Sequence, residues 1–260
     1  MAIDFDGSTD GYSIAHSHAD SPIDATDRPT TVACWFKQDA DTNSYGVLVN
    51  TCDDTSTSYA EGLWTNTNTS SRLLLACSFS VGFNFSQSPS NISFGTWHHG
   101  AGVFASTTSR TCYLDGSAGT ENTSSREPGN VDYHSIGHQN GTTNARFFDG
   151  KIAEVAVWWA ALRADEIAAL AAGYSPALIR PGALYSYMPL GGPMSSGPAV
   201  DIYWGRTLDV IGTPTASDHP PGMIYPADLQ VIRPSAAPPA GVAPTGALYG
   251  PLVGPMGGPV

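Results

Sequence analysis

The carboxylate side chains of this 260-residue chain do not follow the pattern that glycoside hydrolysis requires. That reaction uses two carboxyl groups held roughly 5–10 Å apart, one as acid and the other as base or nucleophile. Glu154 is followed by three apolar residues, Asp115 sits at a predicted hairpin, and Glu61 and Glu121 lie in predicted loops. The chain also has no G-x-S-x-G nucleophile turn, phosphate-binding loop or H-E-x-x-H zinc motif. The sequence therefore predicts that the protein is not an enzyme.

Two groups of side chains are of the types that ligate metal ions. His98 and His99 are adjacent, and because neighbouring strand residues point to opposite faces, they cannot share one ion. A buried, hydrogen-bonded role is therefore predicted for His99. Asp4, Asp6 and Asp10 carry the oxygen ligands that calcium prefers, but an Asp-Gly pair is more often a turn. We expect a turn and no cofactor, with calcium as the open alternative.

The cysteines predict neither a zinc site nor a redox pair, because no two of them are spaced as C-x-x-C. They are Cys34, Cys52, Cys77 and Cys112. Cys34 and Cys112 stand in apolar strand patterns and are expected to be small buried hydrophobic residues. A disulfide is the less favoured alternative. No secretory leader is visible before the first strand pattern, so the chain is expected to be made in a cytoplasm, with a leader that has been removed as the alternative.

Residues 147–173, FFDGKIAEVAVWWAALRADEIAALAAG, contain the most distinctive pattern of elements. Alternating apolar residues indicate a strand, with Glu154 or Val155 as the middle member of the alternation. Apolar residues at helical spacing then predict one short helix near Leu162–Ala172, and Gly173 supplies its stop. A strand that leads directly into a short helix is unusual in a chain that otherwise consists of strands and turns.

The remaining patterns are mostly those of strands. The most regular is PTTVACWFK at residues 29–37, which places Val32, Cys34 and Phe36 on one face and Ala33 on the other. Residues 51–60 are rich in Ser, Thr and Asp and indicate an exposed loop. Further strands are predicted at residues 45–50, 61–65, 72–79, 81–85, 95–104, 110–116 and 183–190.

The segment F-D-G-K-I-A-E-V-A-V-W at residues 148–158 resembles the penultimate strand of laminin G-like and pentraxin-like jelly rolls, the concanavalin A-type sandwiches. The segments FDG at residues 5–7, WHHGA at 97–101, YLDG at 113–116 and ALYSYMPL at 183–190 resemble other parts of that family. The resemblance implies an all-β fold, a two-sheet antiparallel jelly-roll sandwich with one short helix, over residues 1–219. Residues 201–221 resemble an extension that is found in phage-borne relatives.

The composition changes at Pro220, where a segment rich in Pro, Gly and Ala begins. Proline blocks helices and central strands, so residues 220–260 are predicted to form an extended C-terminal arm. A disordered linker is the ordinary alternative. The arm also carries apolar residues that suit docking on a partner, namely Met223, Ile224, Tyr225, Leu229, Val231, Ile232, Leu248, Tyr249, Leu252 and Val253.

The net charge of −12 argues against a nucleic-acid partner, because neutralising phosphates requires clustered Lys and Arg. The acidic excess mainly indicates solubility. No segment has the apolar length that is needed to span a bilayer, so no membrane role is predicted.

Sugar binding is an open possibility, because aromatic faces stack on sugars. The candidate side chains are Tyr45, Tyr59 and Trp64, with Asp53 and Asp54 as acidic neighbours. The alternative is that Trp64 belongs to the core and that Asp53 and Asp54 form a solvated loop. Fold alone does not decide between these interpretations.

The functional hypotheses follow from the resemblance and from the arm. The first is a bacteriophage virion protein, a capsid decoration, cement or head-fibre subunit made in the host cytoplasm. It would dock through its arm on other virion proteins, the major capsid protein above all, as a homo-oligomer such as a trimer. The alternative is a carbohydrate-binding, lectin-like adhesion module, either phage-borne or secreted, for which host-surface glycan is a candidate partner. A glycoside hydrolase is disfavoured by the missing carboxylate pair.

Overall fold

Strands make up most of the protein in the computed structural model, which describes residues 2–15, 29–40, 45–53, 56–68, 71–80, 82–125, 133–139, 146–191, 199–203 and 205–226. Within these ranges the first strands are β1 (Ala2–Asp6), β2 (Gly11–Ala15), β3 (Thr30–Gln38), β4 (Tyr45–Asp53), β5 (Ser56–Asn68), β6 (Ser71–Ser80), β7 (Gly82–Gln87), β8 (His98–Ser106) and β9 (Ser109–Leu114). They are followed by β10 (Ser117–Ala118), β11 (Tyr133–Ile136), β12 (Asp149–Trp158), helix α1 (Ala164–Ala171), β13 (Leu184–Met188), β14 (Val200–Asp201), β15 (Arg206–Thr207), β16 (Asp209–Ile211) and β17 (Thr215–Ser217). Two short 3-10 turns, Pro176–Leu178 and Pro181–Ala183, connect α1 to β13.

The described strands form two large antiparallel sheets and a separate two-stranded pair of β14 and β15. The eight-stranded sheet has the order β10-β9-β8-β3-β12-β1-β17, with β13 paired to β12 beside this path. The seven-stranded sheet has the order β16-β2-β11-β4-β5-β6-β7. The predicted two-sheet antiparallel sandwich with one short helix is confirmed.

The main core lies between the two sheets. Val32, Cys34 and Phe36 of β3 point into it, while Ala33 joins a second cluster on the outer face of the eight-stranded sheet. The predicted alternation along this strand is therefore confirmed. Burying a side chain of this size contributes about 1.5–3 kcal/mol to folding.

Strand β12 contains an irregularity at Glu154. Its register with β3 shifts between Ala153 and Ala156, and Glu154 has a φ of +55°, in the left-handed region. Because of this bulge, Val155 rather than Glu154 continues the core-facing alternation. A non-glycine residue in this conformation is strained and needs strong local contacts to hold it.

Helix α1 packs on the outer face of the eight-stranded sheet through Ile167 and Leu170. Its first turn is fixed by Glu166, whose Oε2 accepts the backbone N–H of Arg163 at 2.7 Å. The helix ends before Gly173, which has a φ of +95°. The predicted helix and its stop are confirmed.

Two predictions about the polar residues near position 55 are wrong. Strand β4 runs on to Asp53 and β5 begins at Ser56, so most of the predicted loop at residues 51–60 is a pair of extended strands. Glu61 lies in a central strand, as the strand predicted at residues 61–65 implies, and it is fully buried, so its placement in a loop is wrong. Ser and Thr residues form strands readily when both neighbours offer ladder hydrogen bonds.

The cysteines in the described part of the chain are free and buried, and these are Cys34, Cys77 and Cys112. The predicted burial of Cys34 and Cys112 is confirmed. Desolvation raises the pKa of both thiols above the ordinary value. No helix among the described residues is long and apolar enough to cross a membrane.

The first residues of the predicted arm lie on the sandwich. Ile224 forms a parallel bridge with Tyr174, through hydrogen bonds from its N–H to the Gly173 carbonyl (2.8 Å) and from the Ser175 N–H to its own carbonyl (2.9 Å). Ile224, which the sequence places in the arm, thus contacts the sandwich through its backbone. Of the predicted docking residues, Leu229, Val231, Ile232, Leu248, Tyr249, Leu252 and Val253 lie outside the described residues.

Candidate functional site

An aromatic cluster lies on the outer face of the seven-stranded sheet. It consists of Tyr45 on β4, Trp64 on β5, and Phe83 and Phe85 on β7, and we call it the outer aromatic cluster. The ring centroids of Trp64 and Phe83 are 5.9 Å apart, those of Tyr45 and Phe83 are 5.8 Å apart, and those of Phe83 and Phe85 are 5.0 Å apart. The sheet register thus brings side chains from three strands into one contiguous surface.

Trp64 is the centre of this cluster and is 1% exposed. Tyr45 and Phe83 cover one part of the ring, and the Arg146 guanidinium lies 5.0 Å from its centroid. The indole N–H donates to Asn50 Oδ1 at 3.2 Å. The prediction that Trp64 stacks on a sugar is therefore wrong, because no face of the ring is open, and the alternative that it is a packed residue is confirmed.

The other predicted sugar-binding residues are placed differently. Tyr45 lies beside Trp64, with ring centroids 6.3 Å apart, and its side chain is only partly buried. Asp54 lies outside the described residues, as do the side chains of Tyr59 and Asp53. Phe83 and Phe85, which are also partly exposed, were not among the predicted residues. Their alternation on β7 was the available signal.

Arg146 is the charged member of this surface. Its side chain is exposed, its φ of +52° is in the left-handed region, and its carbonyl accepts the Val47 N–H at 3.0 Å. Its Nη1 donates to Gln139 Oε1 at 2.6 Å, and its guanidinium also faces the Tyr45 ring at 5.8 Å. The cation is thus held over two aromatic rings, an arrangement stabilised by cation–π attraction.

A polar groove of about 330 Å³ adjoins the cluster at Phe85. Residues 85–87 of β7 form one wall and residues 120–124 form the other. The walls are tied together, because Asn122 Nδ2 donates to the Phe85 carbonyl at 2.8 Å and Ser86 Oγ donates to the Thr120 carbonyl at 2.7 Å. A residue of the aromatic cluster therefore lines the groove together with residues that carry hydroxyl, amide and carboxylate groups.

The second wall of the groove is braced from inside by Arg110, which is 1% exposed. Its guanidinium donates to Asn122 Oδ1 at 3.0 Å and to the Ser124 carbonyl at 2.9 Å. Ser109 Oγ donates to Glu121 Oε1, which fixes the carboxylate at the rim. A groove built in this way is largely preformed for a polar ligand.

Glu154 is the centre of a separate buried cluster, which we call the Glu154 cluster. Its Oε1 accepts hydrogen bonds from Tyr225 Oη at 2.9 Å and from His219 Nε2 at 3.0 Å, and its Oε2 accepts from Tyr187 Oη. Desolvation first, and the charge of Glu154 second, raise the pKa of both tyrosines far above the ordinary value. The phenols therefore remain protonated donors.

The Glu154 carboxylate has no open side for a substrate, since its side chain is 0% exposed and three donors surround it. The Glu154 cluster holds the chain segment after β17 against β12. Sequence reasoning placed Glu154 alone on its strand and missed this role. The only sequence signal was a His and a Tyr within an otherwise Pro-rich and apolar segment.

Comparison with known proteins identifies the family to which the chain belongs. A family model described as the concanavalin A-like lectin/glucanases superfamily, of the laminin G type, matches residues 6–168, which is more than half of the chain. The chain belongs to this concanavalin A-like superfamily. Among curated protein sequences, no significant match was found.

Two solved structures illustrate the fold of this concanavalin A-like chain. A protein from Bacteroides ovatus, named as a candidate carbohydrate binding protein, is 18% identical, with a TM-score of 0.59 over 84% of this chain and 60% of its own. The heptameric SAP-like pentraxin from Limulus polyphemus is 15% identical, with a TM-score of 0.51 over 65% of this chain and 81% of its own. At these identities the likeness is one of fold.

The two adjacent histidines of the concanavalin A-like domain have separate environments, as predicted. His98 Nδ1 lies 2.7 Å from Asp115 Oδ2, and its Nε2 accepts the Ser93 N–H at 3.0 Å, so Nδ1 carries the proton. His99 lies on the other face against Trp35. Its burial is confirmed, but its Nδ1 has no hydrogen-bond partner, so the prediction of a hydrogen-bonded ring is wrong for that atom. Desolvation lowers the pKa of His99 to about 4.

The three aspartates near the start of the domain do not converge. Asp4 pairs with Lys151 at 3.2 Å, and Asp10 Oδ1 accepts the Thr213 N–H at 2.7 Å. Asp6 closes its own turn by accepting from Ser8 and Thr9, which confirms the turn interpretation. Desolvation opposes these hydrogen bonds, yet they hold the pKa of Asp6 well below its ordinary value. Across the described ranges no group of three His, Cys, Asp or Glu residues is arranged for a metal ion.

Proposed function

We propose that the chain is a carbohydrate-binding module that holds its ligand along the polar groove and the adjoining outer aromatic cluster. The observation that carries the proposal is the position of Phe85, which belongs to the aromatic cluster and also lines the groove. A sugar ring presents an apolar face and a rim of hydroxyl groups. Phe85 offers a surface for the first, and Gln87, Glu121 and Thr123 offer hydrogen-bonding groups for the second.

The preformed walls support binding without a large ordering cost. Asn122 connects the two sides of the groove by its hydrogen bond to the Phe85 carbonyl, and Arg110 holds Asn122 in place from inside, so little conformational freedom remains to be lost. Binding without catalysis is part of the proposal. Among the described carboxylates, Glu154 and Glu61 are buried, and the groove contains Glu121 as its acidic side chain.

A glycan array with the full-length chain tests this function, followed by titration of the best ligand against variants. We expect Phe85→Ala to weaken binding by about tenfold, because an aromatic stacking contact contributes on the order of 1–1.5 kcal/mol. Thermal unfolding of each variant shows whether the domain remains folded.

The matched control is Trp159→Ala, because Trp159 is 40% exposed and stacks on Tyr185 at 4.9 Å on another part of the surface. Unchanged binding by this variant is expected. If Trp159→Ala abolishes binding and Phe85→Ala does not, the ligand lies at Trp159 and the assignment of the groove is overturned. If no glycan binds the full-length chain, the proposed function fails.

A second candidate is the role of a virion decoration, cement or head-fibre subunit that docks through its arm on other virion proteins. The structural support is that the Glu154 cluster fastens His219 and Tyr225 to the sandwich. A docking segment that begins after Pro226 would thus be anchored to the sandwich at its start. The two functions are compatible, because a subunit on a particle can also adhere to glycan.

Co-sedimentation with particles that lack the protein tests this second candidate. The chain cut after Pro226 is the appropriate truncation, since it keeps the Glu154 cluster intact. We expect full-length protein to bind and the truncated chain to remain in the supernatant. Equal binding by both would overturn docking by the arm, and binding by neither would remove the virion role.

A further inference from the structure

Arg146 has no carboxylate partner among the described residues, in a chain with 23 acidic and 11 basic residues. By contrast, Lys151 is paired with Asp39 (3.0 Å) and Arg180 with Glu166 (2.6 Å). The Arg146 guanidinium has five N–H donors, and one of them is used, in the bond to Gln139. An exposed cation that is held in place without a counter-charge is suited to an anionic ligand.

Two side-chain amides close to Arg146 add positive electrostatic potential to the same region. Asn50 Oδ1 faces the indole N–H of Trp64, and Gln139 Oε1 faces the Arg146 guanidinium, and both partners can only donate. The orientation of each amide is therefore fixed, which leaves Asn50 Nδ2 and Gln139 Nε2 as buried donors with no hydrogen-bond partner in the described part of the chain. Their partial positive charges add to that of Arg146, because no acceptor offsets them.

We propose that Arg146 binds the carboxylate of an acidic sugar residue, so that the ligand is an acidic oligosaccharide. The proposal rests on the proposed carbohydrate-binding function and assigns its ligand class. The guanidinium pairs with a carboxylate through two parallel hydrogen bonds, and the nearby Tyr45 and Phe83 rings accept the apolar face of the same sugar. The neutral part of the oligosaccharide continues past Phe85 into the polar groove.

The net charge of the chain further restricts which acidic oligosaccharides are expected to bind. A net charge of −12 repels a long polyanion during its approach. An otherwise neutral oligosaccharide with a single carboxylate meets far less of this repulsion. We therefore assign a saccharide that carries one acidic residue rather than an acidic polymer.

The test compares acidic oligosaccharides with neutral analogues of the same shape. The probes carry one glucuronic, galacturonic or sialic acid residue, each paired with its methyl ester, and are titrated by calorimetry into the full-length chain. We expect the free acid of at least one pair to bind about tenfold more tightly than its ester, because a hydrogen-bonded charge pair contributes binding free energy of that size. Arg146→Gln should reduce this preference to about parity, and Arg146→Lys should retain part of it.

Arg163→Gln is the matched control, since it removes the same charge from an exposed site just before helix α1, where Arg163 pairs with Asp165 at 3.0 Å. This variant should keep the full preference for the acid. Equal binding of acid and ester, or an acid preference that survives Arg146→Gln, overturns the assignment to Arg146 and leaves the carbohydrate-binding function standing. If neither member of any pair binds and the glycan array is also blank, both proposals fail.

Discussion

The phenolic oxygen of Tyr225 lies 2.9 Å from Oε1 of Glu154 and connects the end of the described chain to the middle of β12. Glu154 has a left-handed backbone and a fully buried carboxylate, and each of these is unfavourable by itself. The donors from Tyr187, His219 and Tyr225 offset both costs. The segment after β17 is thus a structural part of the sandwich.

Tyr225→Phe removes one donor from this buried carboxylate. We expect the free energy of unfolding to fall by about 2 kcal/mol, because a hydrogen bond to a charged group contributes about 1.5–3 kcal/mol. Urea denaturation measures the change. Tyr174→Phe is the control, since Tyr174 is 42% exposed, and it should alter stability by less than about 0.5 kcal/mol. Equal effects of the two substitutions would contradict the role given to Tyr225.

Two truncations locate the end of the domain. A chain that ends after Pro226 should unfold at the same urea concentration as the full-length chain. A chain that ends after Pro220 loses the backbone bridge of Ile224 as well as the Tyr225 hydrogen bond. It should therefore be less stable than Tyr225→Phe in the same assay. If both truncations match the full-length chain, the segment after Pro220 contributes nothing to the fold.

The buried ring of His99 predicts a dependence of stability on pH. Desolvation lowers its pKa from 6.5 to about 4, so the unfolded chain binds more protons than the native state between these values. The free energy of unfolding should then fall by about 3 kcal/mol as the pH decreases from 6.5 to 4. His99→Phe should flatten this part of the profile. Parallel profiles for the two proteins would show that another group is responsible.

Asp115 acts in a different pH range from His99. Desolvation favours its neutral form, but hydrogen bonds from His98 and from the backbone of His99 outweigh this and lower the pKa of Asp115 below 3.8. The stability that it contributes is therefore present above pH 3.8 and is lost only as the pH falls below that value. The decrease assigned to His99 is thus measured before Asp115 begins to titrate.

Gly62 lies on β5 at a point where a side chain has no room. A Cβ atom there would lie 2.2 Å from the Val49 carbonyl oxygen and 3.0 Å from Asn50 Cα, so Gly62→Ala forces β4 and β5 apart. We expect a loss of about 2 kcal/mol or more, as overpacking typically produces. Gly182→Ala is the control, because nothing lies within 4 Å of its added Cβ. A neutral Gly62→Ala would show that the two strands separate readily at Asn50.

Local patterns predicted the parts of the fold that depend on local chemistry. The alternation of Val32, Cys34 and Phe36 fixed the faces of β3, and Gly173 marked the end of the helix. The strands near residue 55 were missed, because a run of Ser and Thr has no apolar alternation and pairs through its backbone. Extended pairing of that kind is decided by the neighbouring strand and not by the segment itself.

The candidate site was predicted only in part, because its contacts join residues that are far apart in the sequence. Tyr45 and Trp64 were identified, but the ring of Phe83 that covers Trp64 belongs to another hairpin. Likewise, the hydrogen bonds of Glu154 reach 33, 65 and 71 residues along the chain. No periodicity within a single element records a contact of this kind.

Strand β1 is synthesised first but has partners that are synthesised late. Asp6 pairs with Asp149, and Ala2 pairs with Ser217. While the chain is being made, β1 therefore has no ladder partner until β12 has left the ribosome, and closing so large a loop is slow. A nascent chain that has not yet reached β17 still has an open sheet edge along β1. Strand β17 then covers β1 and becomes the outermost strand, with three residues in place of five, so less edge remains at which chains growing side by side could pair with one another.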